Sequence, residues 1–222
     1  MIEHYNGSNW KVIPSPTLNS SFYKLDAVTA VSSTNVVAVG SFINQQGNSQ
    51  ALIEYWNGSR WKVISGPNPG SSSMLSGVTA ISVSNIWAVG DSTPQQGNTA
   101  TLIEHFDGST WQIVSSPNRS ALNYNALVSV TALSANDVWA VGQSGLSNGA
   151  APRGSFSQSQ AFPRTLIEHF DGSKWRIIAS PNLGTSDTLT GVSGVPGTGN
   201  AWAVGSYYNS SPPVQTLTEF YS

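Results

Sequence analysis

Short apolar runs divided by polar turns organise this chain from end to end. Runs such as Val28 to Val31, Val36 to Gly40 and Leu52-Ile53 are rich in β-branched residues and are bounded by Asn, Asp, Ser and Gly. That is the pattern of strands joined by tight connections. No window keeps apolar residues at helical spacing for more than a turn. The runs also recur. One signature reads MIEHYNGSNW from Met1, LIEYWNGSRW from Leu52, LIEHFDGSTW from Leu102 and LIEHFDGSKW from Leu166, with a shortened echo, LTEFYS, from Leu217. A second lies between the copies of the first: VTAVSSTNVVAVG from Val28, VTAISVSNIWAVG from Val78, VTALSANDVWAVG from Val130 and VSGVPGTGNAWAVG from Val192.

Each repeat resolves into four predicted strands, a to d. Strand a covers Leu25 to Val31, Leu75 to Ile81, Leu127 to Leu133 and Leu189 to Val195; a polar turn then leads into strand b, which ends at Gly40, Gly90, Gly142 and Gly205. Strand c carries the Glu and ends at Asn6-Gly7, Asn57-Gly58, Asp107-Gly108 and Asp171-Gly172. Such pairs predict a hairpin in which both turn residues take positive φ. Strand d starts near Trp10, Trp61, Trp111 and Trp175 and runs into Pro16, Pro67, Pro117 and Pro181, where proline ends the ladder.

The glutamates Glu3, Glu54, Glu104, Glu168 and Glu219 set intervals of 51, 50, 64 and 51 residues. Helical solenoids repeat at shorter lengths, whereas a period near fifty is that of kelch-length propeller blades. The strand order, with VTALSANDVWAVG and LIEHFDGSTW, resembles secreted bacterial kelch-like tandem repeats over the whole chain. The Gly-Gly doublet of kelch blades is absent, because Ser41, Asp91, Gln143 and Ser206 follow the strand-b glycines. The resemblance implies an all-β fold, a β-propeller of four kelch-like four-stranded blades with strand a along the axis and strand d at the rim. Residues 1–222 then form one propeller domain of repeats 1–51, 52–101, 102–165 and 166–216, plus a surplus C-terminal strand at 217–222. Seventeen strands are present where four blades need sixteen. We read the ring as closing within a monomer, with a head-to-tail homodimer, half of an eight-bladed ring per chain, as the alternative.

Composition narrows the partners. The 222 residues are enough for a sizeable core, and with no Cys there is no disulfide or thiolate chemistry. Nine Lys and Arg against eleven Asp and Glu give a net charge of −2, without the basic footprint of a nucleic-acid or anionic-membrane binder. No apolar run is long enough to span a membrane, and the first residues already belong to a repeat, so neither membrane insertion nor a signal peptide is expected in this chain. The Ser/Thr/Asn/Gly-rich, Lys-poor composition predicts an extracellular or cell-surface module, part of an exported protein.

Residues that recur in every copy are read as building the copy. The five glutamates are expected between blades, held by internal hydrogen bonds, and Trp10, Trp61, Trp111 and Trp175 are expected to fill the wedge there. His4, His105 and His169 follow their glutamates directly, but Tyr55 and Phe220 take the same place, which points to packing rather than acid/base work or metal ligation. Asn and Asp exchange at the turn, so a calcium site is not expected there. For function, strand-b Trp87, Trp139 and Trp202 are candidate sugar-stacking rings. The one break in symmetry, Ser144 to Arg164, offers Arg153, Phe156, Phe162 and Arg164 as a lip for a partner. These features predict a non-enzymatic binding module for a glycan or extracellular polymer. The alternative is a protein-interaction scaffold using the face with the 144–164 loop; an enzyme is the reading with least in its favour, and no cofactor or metal is expected.

Overall fold

The computed structural model describes residues 1–119, 124–145, 162–209 and 214–221. Among these residues the chain is all β, with seventeen strands, antiparallel pairing throughout and no helix. A hairpin of β1 (Ile2–Tyr5) and β2 (Trp10–Ile13) comes first. Three four-stranded sheets follow in chain order. The first holds β3 (Tyr23–Ser32), β4 (Asn35–Ile43), β5 (Ser49–Trp56) and β6 (Trp61–Ile64). The second holds β7 (Ser72–Ser82), β8 (Asn85–Thr93), β9 (Ala100–Phe106) and β10 (Trp111–Ile113). The third holds β11 (Tyr124–Ser134), β12 (Asp137–Gly145), β13 (Arg164–Phe170) and β14 (Trp175–Ile177). A three-stranded sheet of β15 (Ser186–Gly194), β16 (Ala201–Tyr208) and β17 (Gln215–Tyr221) ends the row.

Identical registers show that the sequence repeat is a structural one. Ala38, Ala88, Ala140 and Ala203 each pair with the glutamate of the neighbouring strand, Glu54, Glu104, Glu168 and Glu219. The strand-b glycines share a reason as well. Opposite each one the ladder slips by a residue, between Leu25 and Ala27, Leu75 and Gly77, Leu127 and Ser129, and Leu189 and Gly191. At this bulge the facing carbonyl comes so close that a Cβ on Gly142 would lie 2.0 Å from the Ala126 oxygen. The Val-Gly ending therefore permits a bulge that bends strand a.

The c–d turn differs from the expected two-residue form. Within these turns only the glycines Gly7, Gly58, Gly108 and Gly172 take positive φ, and no residue other than glycine does so among the described residues. Asp107 Oδ1 accepts the N–H groups of Ser109 at 2.8 Å and Thr110 at 2.9 Å, and Asn6, Asn57 and Asp171 do the same in their copies. The connection has four residues capped by a side-chain oxygen, which Asn and Asp supply equally well.

Burial lies between the sheets. Val37, Val39 and Ile53 pack with Leu75, Val78 and Trp111; Trp87, Val89 and Ile103 with Leu127, Val130 and Trp175; Trp139, Val141 and Ile167 with Leu189, Ala203 and Leu217. Strand a of each sheet lies against strand a of the next, β3 on β7, β7 on β11 and β11 on β15. Hydroxyls help to join them, as Ser129 Oγ and Thr131 Oγ1 accept the N–H groups of Val192 and Gly194. The C-terminal strand is not a spare one: β17 pairs with β16 over seven residues and buries Leu217 and Glu219. At the N-terminus β1 pairs, among the described residues, with β2 alone and joins none of the larger sheets.

Candidate functional site

Glu54, Glu104, Glu168 and Glu219 are buried between sheets, while Glu3 is exposed on the N-terminal hairpin. Three of the buried carboxyls take a hydroxyl from the sheet before. Ser15 Oγ donates to Glu54, Ser116 Oγ to Glu168 Oε2 and Ser180 Oγ to Glu219 Oε1, each at 2.8 Å. Behind two of these serines stands a threonine, Thr101 with Ser116 and Thr165 with Ser180, both at 2.6 Å. Glu104 is the exception. The positions of that Thr and Ser are occupied by Ala51 and Gly66, and neither carboxyl oxygen of Glu104 has a hydrogen-bond partner. Burial without a donor pushes its pKa up to about 8; Glu168 reaches about 8 by burial against the opposing Ser116 bond, and Glu54 and Glu219 are raised for the same reason.

Gly66→Ser should restore the missing donor. Its Cβ would stand 3.2 Å from Glu104 Oε2 and would displace only Ile53 Cδ1, the end of a flexible side chain 2.7 Å away. The expected gain is about 1 kcal/mol, the net value of one hydrogen bond, read as a rise in melting temperature. A fall would mean that Ile53 cannot move aside.

The ring after three of the glutamates has a second task. Tyr55 OH donates to Asn35, while His105 Nε2 and His169 Nε2 reach Asn85 Oδ1 and Asp137 Oδ1 at 2.9 Å, each tying strand c to the a–b turn of its own sheet. His105 lies tilted 4.2 Å from Trp87 and His169 stacks 4.1 Å from Trp139, and burial lowers the His105 pKa. Tyr and His share a polar tip at similar reach, which accounts for their exchange. Turn Asp107 is held down to about 2, chiefly by the Thr110 N–H and then by the Ser109 hydroxyl.

The strand-b tryptophans do not form a set of equivalent sugar platforms. Trp87 is buried against Phe170 and Trp175 of the third sheet, and Trp139 against Tyr221 of the last. Their faces are spent on neighbouring rings. Trp202 alone is exposed, tilted against Phe220 on the open side of the last sheet. In strand d, Trp61, Trp111 and Trp175 are buried and Trp10 is exposed.

Groups that differ between repeats gather where the b–c and d–a connections meet. Asn68, Asn118 and Asn182 accept N–H bonds from Ala51, Thr101 and Thr165, fastening each Pro-Asn loop to the start of strand c. Arg164 Nη1 donates to Gly184 O at 2.9 Å and pairs with Asp187 Oδ2 at 3.3 Å; the other Asp187 oxygen accepts the N–H groups of Leu183 and Gly184. Arg164 is thus a brace for the loop before β15. Beside it the backbone ties Asp187 N to Pro163 O and Thr185 N to Tyr208 O, bringing Phe162, Leu183 and Tyr208 to one end of the third and fourth sheets, all exposed. Arg153 and Phe156 lie outside the described residues. At the same end Phe22 and Tyr23 are exposed beside the first sheet, held by Ile43 N to Phe22 O. Asp91 is raised to about 6 by burial against the pull of Lys24, and burial together with the Asp91 charge raises Tyr124 to about 12. Among the described residues, no group of three or more His, Asp or Glu side chains is placed to hold a metal ion, and no helix is long and apolar enough to cross a membrane.

No protein-family model matches this sequence, and no curated protein does. A solved structure titled glycoside hydrolase is similar over 94% of this chain and 89% of its own, at 9% identity and a TM-score of 0.30. A likeness at that level carries no argument about activity.

Proposed function

We propose that this chain is a non-enzymatic binding module, a propeller of kelch-like blades belonging to an exported protein, that recognises a glycan or other neutral extracellular polymer on its connection face. The observation that carries the reading is the exposed group of Leu183, on a loop stiffened by Arg164 and Asp187, with Phe162 just before β13 and Tyr208 at the end of β16. Rings of this kind offer flat apolar faces at low entropic cost, and a braced loop keeps them in place before a ligand arrives. The nearby Asn, Ser and Thr side chains supply the hydrogen-bonding partners that hydroxyl-rich ligands need. The blade reading is supported by the common registers, the adjacent strands a and the cores between successive sheets. Because Trp87 and Trp139 are covered and Trp202 alone of the strand-b tryptophans is open, the ligand site is assigned to groups that do not recur.

A protein partner is the second reading, favoured by the aliphatic Leu183 and Val214, both exposed. A glycan array probed with the intact chain and with a Phe162→Ala/Tyr208→Ala variant separates the two. Specific signals that vanish in the variant at unchanged melting temperature are expected. An array without signal, or signals indifferent to the variant, would overturn the glycan assignment.

A further inference from the structure

The two ends of the row of sheets are the two halves of a junction that the chain builds internally. Between the second and third sheets, Trp87 packs 4.9 Å from Phe170 and 5.5 Å from Trp175, on the c–d hairpin of the following sheet, and is 3% exposed. At the next junction Trp139 packs 4.9 Å from Tyr221 and is 8% exposed. Their counterpart Trp202 is 46% exposed, and Val204 is open although its counterparts Val89 and Val141 are buried. Among the described residues no sheet follows at this end. At the other end Val28 is 65% exposed, whereas Val78 and Val130 are 8% exposed. In front of Val28 runs an apolar groove of about 500 Å³ bounded by Leu25, Ala30, Val36, Trp56, Trp61 and, from β1, Ile2. Of the sheet that would precede, the described residues hold the c–d hairpin, β1–β2, which also lines the groove through Glu3, His4 and Ile13, and not strands a and b.

We propose that a second copy of this chain fills the groove, head to tail. The β15–β16 face of one copy covers Val28 of the other, and Trp202 seats against Trp56 and Trp61 as Trp87 seats against Phe170 and Trp175. The occupant follows from the repeat: the groove matches a surface that the chain itself carries, made of the same residue types that already close the internal junctions. Trp56 and Trp61 are in place for it, with centroids 5.8 Å apart at 45°, close to the 5.7 Å and 41° of Phe170 and Trp175. The two faces are unlike, so the contact is heterologous, and each copy brings one of each.

Sedimentation velocity of the 222-residue chain over two decades of concentration tests this. The expected result is a mass that rises above one chain, and a return to one chain in either Val28→Asp or Trp202→Asp. Both variants should keep the wild-type melting temperature of the dissociated chain, because these side chains are exposed in it. An equimolar mixture of the two retains one good groove and one good tryptophan face, so it should form a dimer and nothing larger. If an aspartate lowers the melting temperature, Val28→Ser and Trp202→Ser give the same reading with less disturbance. A one-chain mass at every concentration would overturn the proposal, as would a mixture no more associated than its components.

Discussion

Gly142→Ala is expected to cost more than about 3 kcal/mol, the upper end of overpacking effects, and to shift the denaturant midpoint accordingly. The added methyl would stand 2.0 Å from the Ala126 carbonyl oxygen and 2.9 Å from the Leu127 Cα, both backbone atoms of the opposing strand. A side chain could turn away, but a strand cannot yield without losing its register. Leu127 and Val141 on either side of this point are buried at the junctions with the second and fourth sheets, so the strain would spread into two cores. Gly199→Ala provides the contrast, because nothing lies within 4 Å of its added Cβ, and a change within about 0.5 kcal/mol is expected. Equal tolerance at the two positions would refute the bulge as the reason for the Val-Gly signature.

Stability should also fall steeply as pH rises from 5 to 8. In the unfolded chain the carboxyls of Glu104 and Glu168 ionise near their ordinary value of 4.5; in the folded protein burial keeps them protonated up to about 8. Between those values the folded state holds protons that the unfolded state has released. The stabilisation is complete below about 4.5 and is lost on the way to 8, at about 1.4 kcal/mol per pH unit for each group. Glu54, Glu219 and Asp91 are shifted in the same direction and add to the trend. Calorimetric melting across this range should show a proton difference of at least about two in the steepest part, falling by about one in Glu104→Gln. A flat profile, or a slope untouched by that substitution, would show that these carboxyls are ionised in the fold.

Strand order and the repeat were readable in the sequence because alternation, glycine and proline mark them locally. Partners far apart along the chain were harder. The Thr-Ser-Glu chain joins Thr101 and Ser116 to Glu168, 52 residues beyond the serine, so no single repeat displays it. Its trace in the sequence is a paired loss, Ala51 with Gly66, in the copy facing Glu104. The shared acceptor for Tyr55, His105 and His169 was hidden for a related reason, since ring packing alone was enough to explain the exchange of these residues. Exposure of the strand-b tryptophans could not be read at all, because Trp87 and Trp202 occupy the same place in the motif and differ only in whether a sheet follows. Nor could pairing at the ends: Glu3 and Glu219 carry the same signature, yet β17 is bound to β16 and β1 is not. The turn was recognised by composition, while its conformation depended on a side-chain cap that the residue pair does not reveal.

Ligand stoichiometry tests most directly the proposed division, in which repeated positions build the protein and unrepeated ones bind. A soluble oligosaccharide corresponding to the strongest array signal, titrated calorimetrically into the intact chain, should give one site per chain and none in Phe162→Ala/Tyr208→Ala. Three or four equal sites that survive in that variant would contradict the account, because they would place binding on the repeat itself.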